Sequence, residues 1–217
     1  MISQNGFSLI LGMVVLLTFS AKSSAVAEGI PDTLKKAGEL NVGVKCDAPP
    51  AAFLDSDGKP SGIDVDFSHY ISQHAFNDPN KVSFTCVTSA TRIQMLTSGK
   101  VDLIIATMSP TDERKRVVDF TDSTNWGAAG ILTRKGEDYS RLEDFNGKTL
   151  ISLKGGWQAQ YLKEHYPQIH LVLLDSMNDA ITAMRQGRAD GLAEDVKALL
   201  PAVSGIMISP WQRSPTA

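Results

Sequence analysis

One junction occurs twice in this chain. Ile93, Leu96, Gly99, Lys100 and Asp102 spell I-x-x-L-x-x-G-K-x-D, and Ile181, Met184, Gly187, Arg188 and Asp190 spell I-x-x-M-x-x-G-R-x-D at identical spacing. In each copy the apolar face of a helix runs into a glycine suited to a left-handed cap. A cation follows, where it complements the dipole of the helix C-terminus, and a new apolar run begins. A chain that repeats this helix–glycine–strand junction is constrained towards two similar lobes.

The segments around each copy alternate in the same sense. In the first half, residues 40–46, 81–87 and 101–107 read as short strands. Helices are predicted over 66–76, with Phe67, Tyr70, Ile71 and His74 at helical spacing, and over 92–100. In the second half, strands are predicted at 148–153, 169–175 and 189–195, with helices at 157–166, 179–188 and 196–203. Such alternation defines an α/β fold with mostly parallel sheets flanked by helices.

Open α/β sheets bind ligands beyond the carboxyl ends of their strands. Thr107 and Asp195 each lie five residues past the aspartate of their copy, at such an end. If the lobes face one another, both look into one cleft. The charged run 109–120, SPTDERKRVVDF, starts at the same lip. Pro110 and Thr111 can open a helix, whose exposed N–H groups favour an anion. Arg114 or Arg116 adds a planar fork able to grip a carboxylate. The hydroxyls of Thr107 and Ser109 can bond the same group. The plainer alternative makes Arg114, Lys115 and Arg116 a solvated face paired with Asp112 and Glu113. Asp195 brings the opposite charge from the other lobe, and also suits the N-cap of the next helix. A carboxylate held on one side and an ammonium on the other describe an α-amino acid.

The N-terminus sets the expected compartment. Residues 7–19 are continuously apolar, too few to span a bilayer comfortably. Ala25, Val26 and Ala27 then fit a signal-peptide cleavage site, leaving Glu28 first. No Lys or Arg precedes the apolar run, so an uncleaved anchor is the alternative, and no Cys stands at the cleavage point to carry a lipid. An exported, periplasmic protein is expected. In that compartment Cys46 and Cys86, each near a predicted strand end, either pair as a disulfide or remain separate thiols. The net charge of -3 gives no basic excess for nucleic acid. No residue cluster calls for a metal or a cofactor. The expected layout is a signal peptide over 1–27, lobe one over 28–127, lobe two over 128–205 and an atypical tail over 206–217.

From about residue 34 to about residue 200 the chain resembles the periplasmic solute-binding proteins of bacterial ABC transporters, polar amino acid group (family 3, type II). The stretches LKKAGELNVGVKCDAPPAAFLDSDGKPSGIDVDF, VTSATRIQMLTSGKVDLIIATMSPTDERKRVVDFT and LEDFNGKTL carry the resemblance. It implies a monomer of two α/β lobes joined by crossing strands. The lobes close on the ligand, and the loaded protein delivers it to a membrane permease. By position, Arg114 resembles the arginine that grips the α-carboxylate, with Thr107 and Ser109 as partners, and Asp195 the acid that takes the α-ammonium. Lys45, Asp47 and Arg92 fall where the ligand side chain is met. Lys45 and Arg92 favour an acidic amino acid and Asp47 a cation; the acidic ligand is preferred.

The chain also departs from that family. Pro50 stands where an aromatic is common, leaving Phe53 nearby, and Trp126 stands in for a tyrosine pair. The second-lobe loop reads KGGWQ, so donors to the carboxylate there are the backbone N–H groups of Gly156 and Trp157 and the Gln158 side chain. The chain is expected to be truncated, with C-terminal elements of lobe one missing and its binding in doubt. A second reading is an exported cyclohexadienyl dehydratase-like enzyme, with Arg114 on a carboxylate and Asp195 or Glu194 as acid.

Overall fold

The computed structural model describes residues 30–124, 127–137, 139–202 and 206–210. The expected leader with its cleavage after Ala27, Trp126, and the last part of the tail lie outside the described residues. Lobe one runs α1 (Asp32–Ala37), β1 (Leu40–Val44), β2 (Asp47–Ala48), β3 (Ala52–Leu54), β4 (Pro60–Ser61), α2 (Ile63–Phe76), β5 (Val82–Cys86), α3 (Arg92–Thr97), β6 (Leu103–Ile104) and α4 (Asp112–Lys115). Lobe two runs β7 (Ala129–Arg134), β8 (Thr149–Leu153), α5 (Trp157–His165), β9 (His170–Leu174), α6 (Met177–Arg185), β10 (Gly191–Asp195), α7 (Val196–Leu199) and β11 (Ile206–Pro210).

In lobe one β1 lies between β5 and β6, both parallel to it, and β2, β3 and β4 form a small antiparallel sheet beside them. In lobe two the order is β11-β7-β10-β8-β9, with β10, β8 and β9 parallel and β7 and β11 antiparallel to their neighbours. Residues 206–210, expected as an atypical tail, thus extend the second sheet along β7.

The repeated junction folds the same way in both lobes. Gly99 and Gly187 take φ of 71° and 70°. Gly99 N–H donates to Leu96 O and Lys100 N–H to Met95 O; Gly187 N–H donates to Met184 O and Arg188 N–H to Ala183 O, all at 3.0 Å. This is the paired closure of a left-handed helix end, open to glycine without steric cost. The aspartates then bolt the neighbouring strand. Asp102 Oδ2 accepts from Asn41 N–H at 2.9 Å, and Asp190 Oδ2 from Thr149 N–H at 2.8 Å. The repeat is therefore scaffold, and the site lies at the opposite ends of the strands it starts.

The first core gathers Leu40, Val42, Val44, Ala52, Val65 and Val82. The second sheet is packed on both faces: Leu132, Ile151, Leu153, Met177, Met184, Leu192 and Leu199 on one side, Ile131, Phe145, Leu150, Leu162 and Ala193 on the other. Helix α2 forms over the predicted span, and of its four spaced residues Ile71 packs against the core. Val65, Ser68 and Ser72 are buried, while Phe67 and Tyr70 are exposed. The two serines settle their hydroxyls on Asp64 O and Asp78 O, so small side chains let the helix sit close to the sheet. Phe67, Tyr70 and His74 make ring contacts with one another along the outer face.

Asp64, in the first turn of α2, has a buried Oδ2 with no hydrogen-bond partner, and burial raises its pKa from 3.8 to about 6. Because the folded pKa lies above the unfolded one, the ionised group costs folding stability. That cost is absent below about pH 4 and full above about pH 6. Asp64→Asn is expected to raise the melting temperature by several degrees at about pH 8 and to change it little at about pH 4. A variant no more stable than the parent at the higher pH would contradict this account.

Candidate functional site

The carboxyl ends of β6 and β10 face each other across the lobes. At the first, Thr107 is exposed and takes φ of 46°, an unusual conformation for a β-branched residue, of a kind concentrated at functional sites. Thr111 then caps α4, its Oγ1 accepting from Arg114 N–H at 3.4 Å. This short turn carries Arg114 inward and leaves Lys115 and Arg116 exposed.

Arg114 is 8% exposed. Its Nη1 donates to Ser109 O and its Nη2 to Gly155 O, both at 2.9 Å. Ser109 belongs to lobe one and Gly155 to the β8–α5 loop of lobe two, so one guanidinium ties the lobes. Arg92, at the start of α3, is 3% exposed and donates from Nη1 to Ala106 O at 2.6 Å, while its Nε has no partner. Burial lowers Arg92 to about 10, with Arg114 pulling the same way and Glu194 opposing. Arg114 is also lowered by burial, against the charges of Glu113 and Glu194. Lys45, just past β1, is equally buried.

Lobe two answers with carboxylates. Asp195 ends β10, half-buried, and its Oδ1 accepts from Lys197 N–H at 2.9 Å as the N-cap of α7. Glu194, one residue earlier, was not singled out above as a binding residue. It is 7% exposed; its Oε1 accepts from Gln158 Nε2 at 3.4 Å and its Oε2 has no partner. Burial pushes its pKa up, opposed by Lys45, the Asp195 backbone N–H and Arg92. Its burial follows from the fold: β10 is a central strand with Gly191, Leu192 and Ala193 also buried.

Other expected residues sit less directly. Asp47 does not point into open cleft: its Oδ2 accepts from Met177 N–H, the first of α6, at 2.7 Å across the lobes. Gly156 N–H donates to Leu153 O at 3.0 Å, inside its own lobe, which leaves it turned away from an incoming carboxylate. The Gln158 side chain is buried and spent on Glu194. Trp157 and Phe53 are half-buried, Phe53 opposite Asp47 in the β2–β3 pair. Cys46 and Cys86 are joined as a disulfide, Cα atoms 5.4 Å apart, at the ends of the parallel pair β1 and β5. Among the described residues no group of His, Cys, Asp and Glu is placed to hold a metal.

Two α/β lobes that meet over buried arginines from one side and carboxylates from the other define a two-lobed binding protein of the type II periplasmic architecture. The chain belongs to the bacterial extracellular solute-binding proteins, family 3, which its residues 40–196 match. It is 34% identical over 179 residues to a glutamine-binding protein of Geobacillus stearothermophilus, covering 81% of this chain and 68% of the relative. It is 32% identical over 201 residues to the ABC transporter glutamine-binding protein of Bacillus subtilis, covering 87% and 74%. The crystal structure of the L-cysteine solute receptor of Neisseria gonorrhoeae superimposes with a TM-score of 0.80 at 28% identity, covering 85% of this chain and 76% of the receptor. The family is one of exported binding proteins and not of enzymes, which removes the dehydratase reading.

Proposed function

We propose that this chain captures a polar amino acid outside the cytoplasmic membrane and hands it to the permease of an ABC importer, as a monomer whose leader is removed after Ala27. The carrying observation is a buried guanidinium, Arg114, in one lobe and a half-buried carboxylate, Asp195, at a strand end of the other. In this reading Arg114 holds the α-carboxylate with help from Thr107 and Ser109, and Asp195 takes the α-ammonium. Lys45 and Arg92 meet the side chain, Phe53 and Trp157 flank it, and Gln158 backs it through Glu194. The relatives named for glutamine support an amino acid as the ligand. Counting Lys45 and Arg92 alone favours an acidic side chain; Glu194 among them favours a carboxamide. Calorimetric titration with the common L-amino acids tests the reading, with at least one expected to bind and its decarboxylated amine expected not to. Equal binding of the amine would sink the carboxylate clamp.

Lobe closure is part of the same proposal. Asp47 on the N-terminus of α6 supports it, because a carboxylate there gains both a hydrogen bond and the helix dipole. Asp47→Ala is expected to weaken ligand binding about fivefold through a faster off-rate. Small-angle scattering should find the liganded variant more open than the parent. An unchanged off-rate would remove Asp47 from the closure.

A further inference from the structure

Two of the lobe-one segments that meet lobe two leave the sheet at a cysteine. Cys46 is followed by Asp47, whose Oδ2 accepts from Met177 N–H at 2.7 Å. Cys86 ends β5 and leads to Ser89 and Ala90, where a Cβ added to Gly155 would lie 2.6 Å from Ser89 O. Val44 and Cys86 are opposite one another in the β1–β5 ladder, and Val87 N–H donates to Val44 O at 2.9 Å. Past that bond, among the described residues, no hydrogen bond joins residues 46–48 to residues 88–91. The Cys46–Cys86 disulfide is the covalent link between the two segments as they part. Cys46 is half-buried, but Cys86 is exposed, and an exposed disulfide is open to thiol exchange.

We propose that the Cys46–Cys86 bridge is a thiol-exchange site, opened by a dithiol outside the cytoplasmic membrane, and that its reduction loosens the closed state of the lobes. The proposal rests on the amino-acid reading and the lobe closure above. A thiolate of the dithiol attacks Cys86 Sγ, the S–S bond breaks, and Cys46 leaves as a thiolate that takes up a proton. The second thiolate of the dithiol attacks the mixed disulfide and releases Cys86, which is protonated in turn. The cystine gains two electrons and two protons, and the dithiol loses them in becoming a disulfide. Asp47 and Ser89 stand one and three residues from the bridge. Opening it frees both segments at the surface where the lobes meet. Order lost there must be restored at every closure, and that entropy opposes the closed state. The β1–β5 ladder and the core around Val42 and Val44 do not depend on the bridge, so lobe one is expected to stay folded when it opens.

The test treats the folded protein with dithiothreitol and alkylates the thiols with iodoacetamide. Mass spectrometry should find both cysteines labelled without denaturant; a bridge that opens only in urea overturns the proposal. Oxidised and reduced protein are then titrated with L-glutamine, L-glutamate, L-arginine and the other common L-amino acids. Reduction should weaken binding about tenfold, mainly through a faster off-rate. The double variant Cys46→Ala with Cys86→Ala should match the reduced protein, with or without dithiothreitol. Equal affinity of the oxidised and reduced forms overturns the proposal, as does a double variant that binds like the oxidised parent. A chain that unfolds on reduction, judged by circular dichroism, overturns it too, because the bridge then holds lobe one and not the closed state. Scattering should give the reduced chain a larger radius of gyration than the oxidised one. If the oxidised protein binds no L-amino acid, the amino-acid reading falls, and scattering decides the bridge by itself: equal radii overturn its role in closure.

Discussion

Arg114→Ala is expected to abolish measurable amino-acid binding, at least about a 30-fold loss by calorimetry. Truncating one partner of a buried, hydrogen-bonded charge pair costs about 2–5 kcal/mol, and tenfold in affinity is about 1.4 kcal/mol. Arg114 carries more than that pairing. Its bonds to Ser109 O and Gly155 O use two of five N–H donors, so three remain for a ligand while the lobes stay tied. The alanine variant loses the ligand contact and the cross-lobe bond together. Arg114→Lys should fall between, because it keeps the charge and loses the planar fork. Arg116→Ala is the control from the same charged run; Arg116 is exposed, and its removal should leave affinity unchanged. Retained affinity in Arg114→Ala would refute the clamp.

What was legible in the sequence was mostly what the backbone does locally. The alternation of strands and helices, the glycine ends at Gly99 and Gly187, and a site beyond the strands all follow from short-range patterns. The repeat even marks the bolts, although nothing in spacing says that Asp102 and Asp190 accept from Asn41 and Thr149. Helix α2 shows the limit of periodicity. Spacing alone did not say which residues turn inward: Ile71 packs on the core, and Ser68 and Ser72 bury by bonding backbone carbonyls, so close approach decided the orientation. The cross-lobe contacts were not legible at all. Asp47 on Met177 and Arg114 on Gly155 join residues far apart in the chain through lobe packing. Glu194 stood only as an alternative acid to its neighbour Asp195, because a strand-end aspartate looks like a ligand group. In β10, whose Leu192 and Ala193 pack into the cores on the two faces of the sheet, the glutamate is buried as well.

Gly155→Ala should weaken ligand binding roughly 10- to 100-fold while leaving each lobe folded. Gly155 takes φ of 77°, and a Cβ there would lie 2.6 Å from Ser89 O and 2.7 Å from Ala90 Cα. Those are backbone atoms of lobe one, at the approach to α3, so no side chain can swing aside to make room. The only relief is for the lobes to part, which also breaks the Arg114 bond to Gly155 O. Overpacking against fixed atoms costs about 1–3 kcal/mol, and here it is charged to the closed state alone. The left-handed backbone adds a penalty of its own, but open and closed forms share that part. Gly147→Ala separates the two effects: it has φ of 74° with nothing within 4 Å of an added Cβ, so it should lower the melting temperature and spare affinity. Scattering from ligand-saturated Gly155→Ala should give a larger radius of gyration than the liganded parent. If that variant binds and compacts as the parent does, the approach of Gly155 to Ser89 is no part of the ligand-bound state, and the cross-lobe contacts built on it fall as a group.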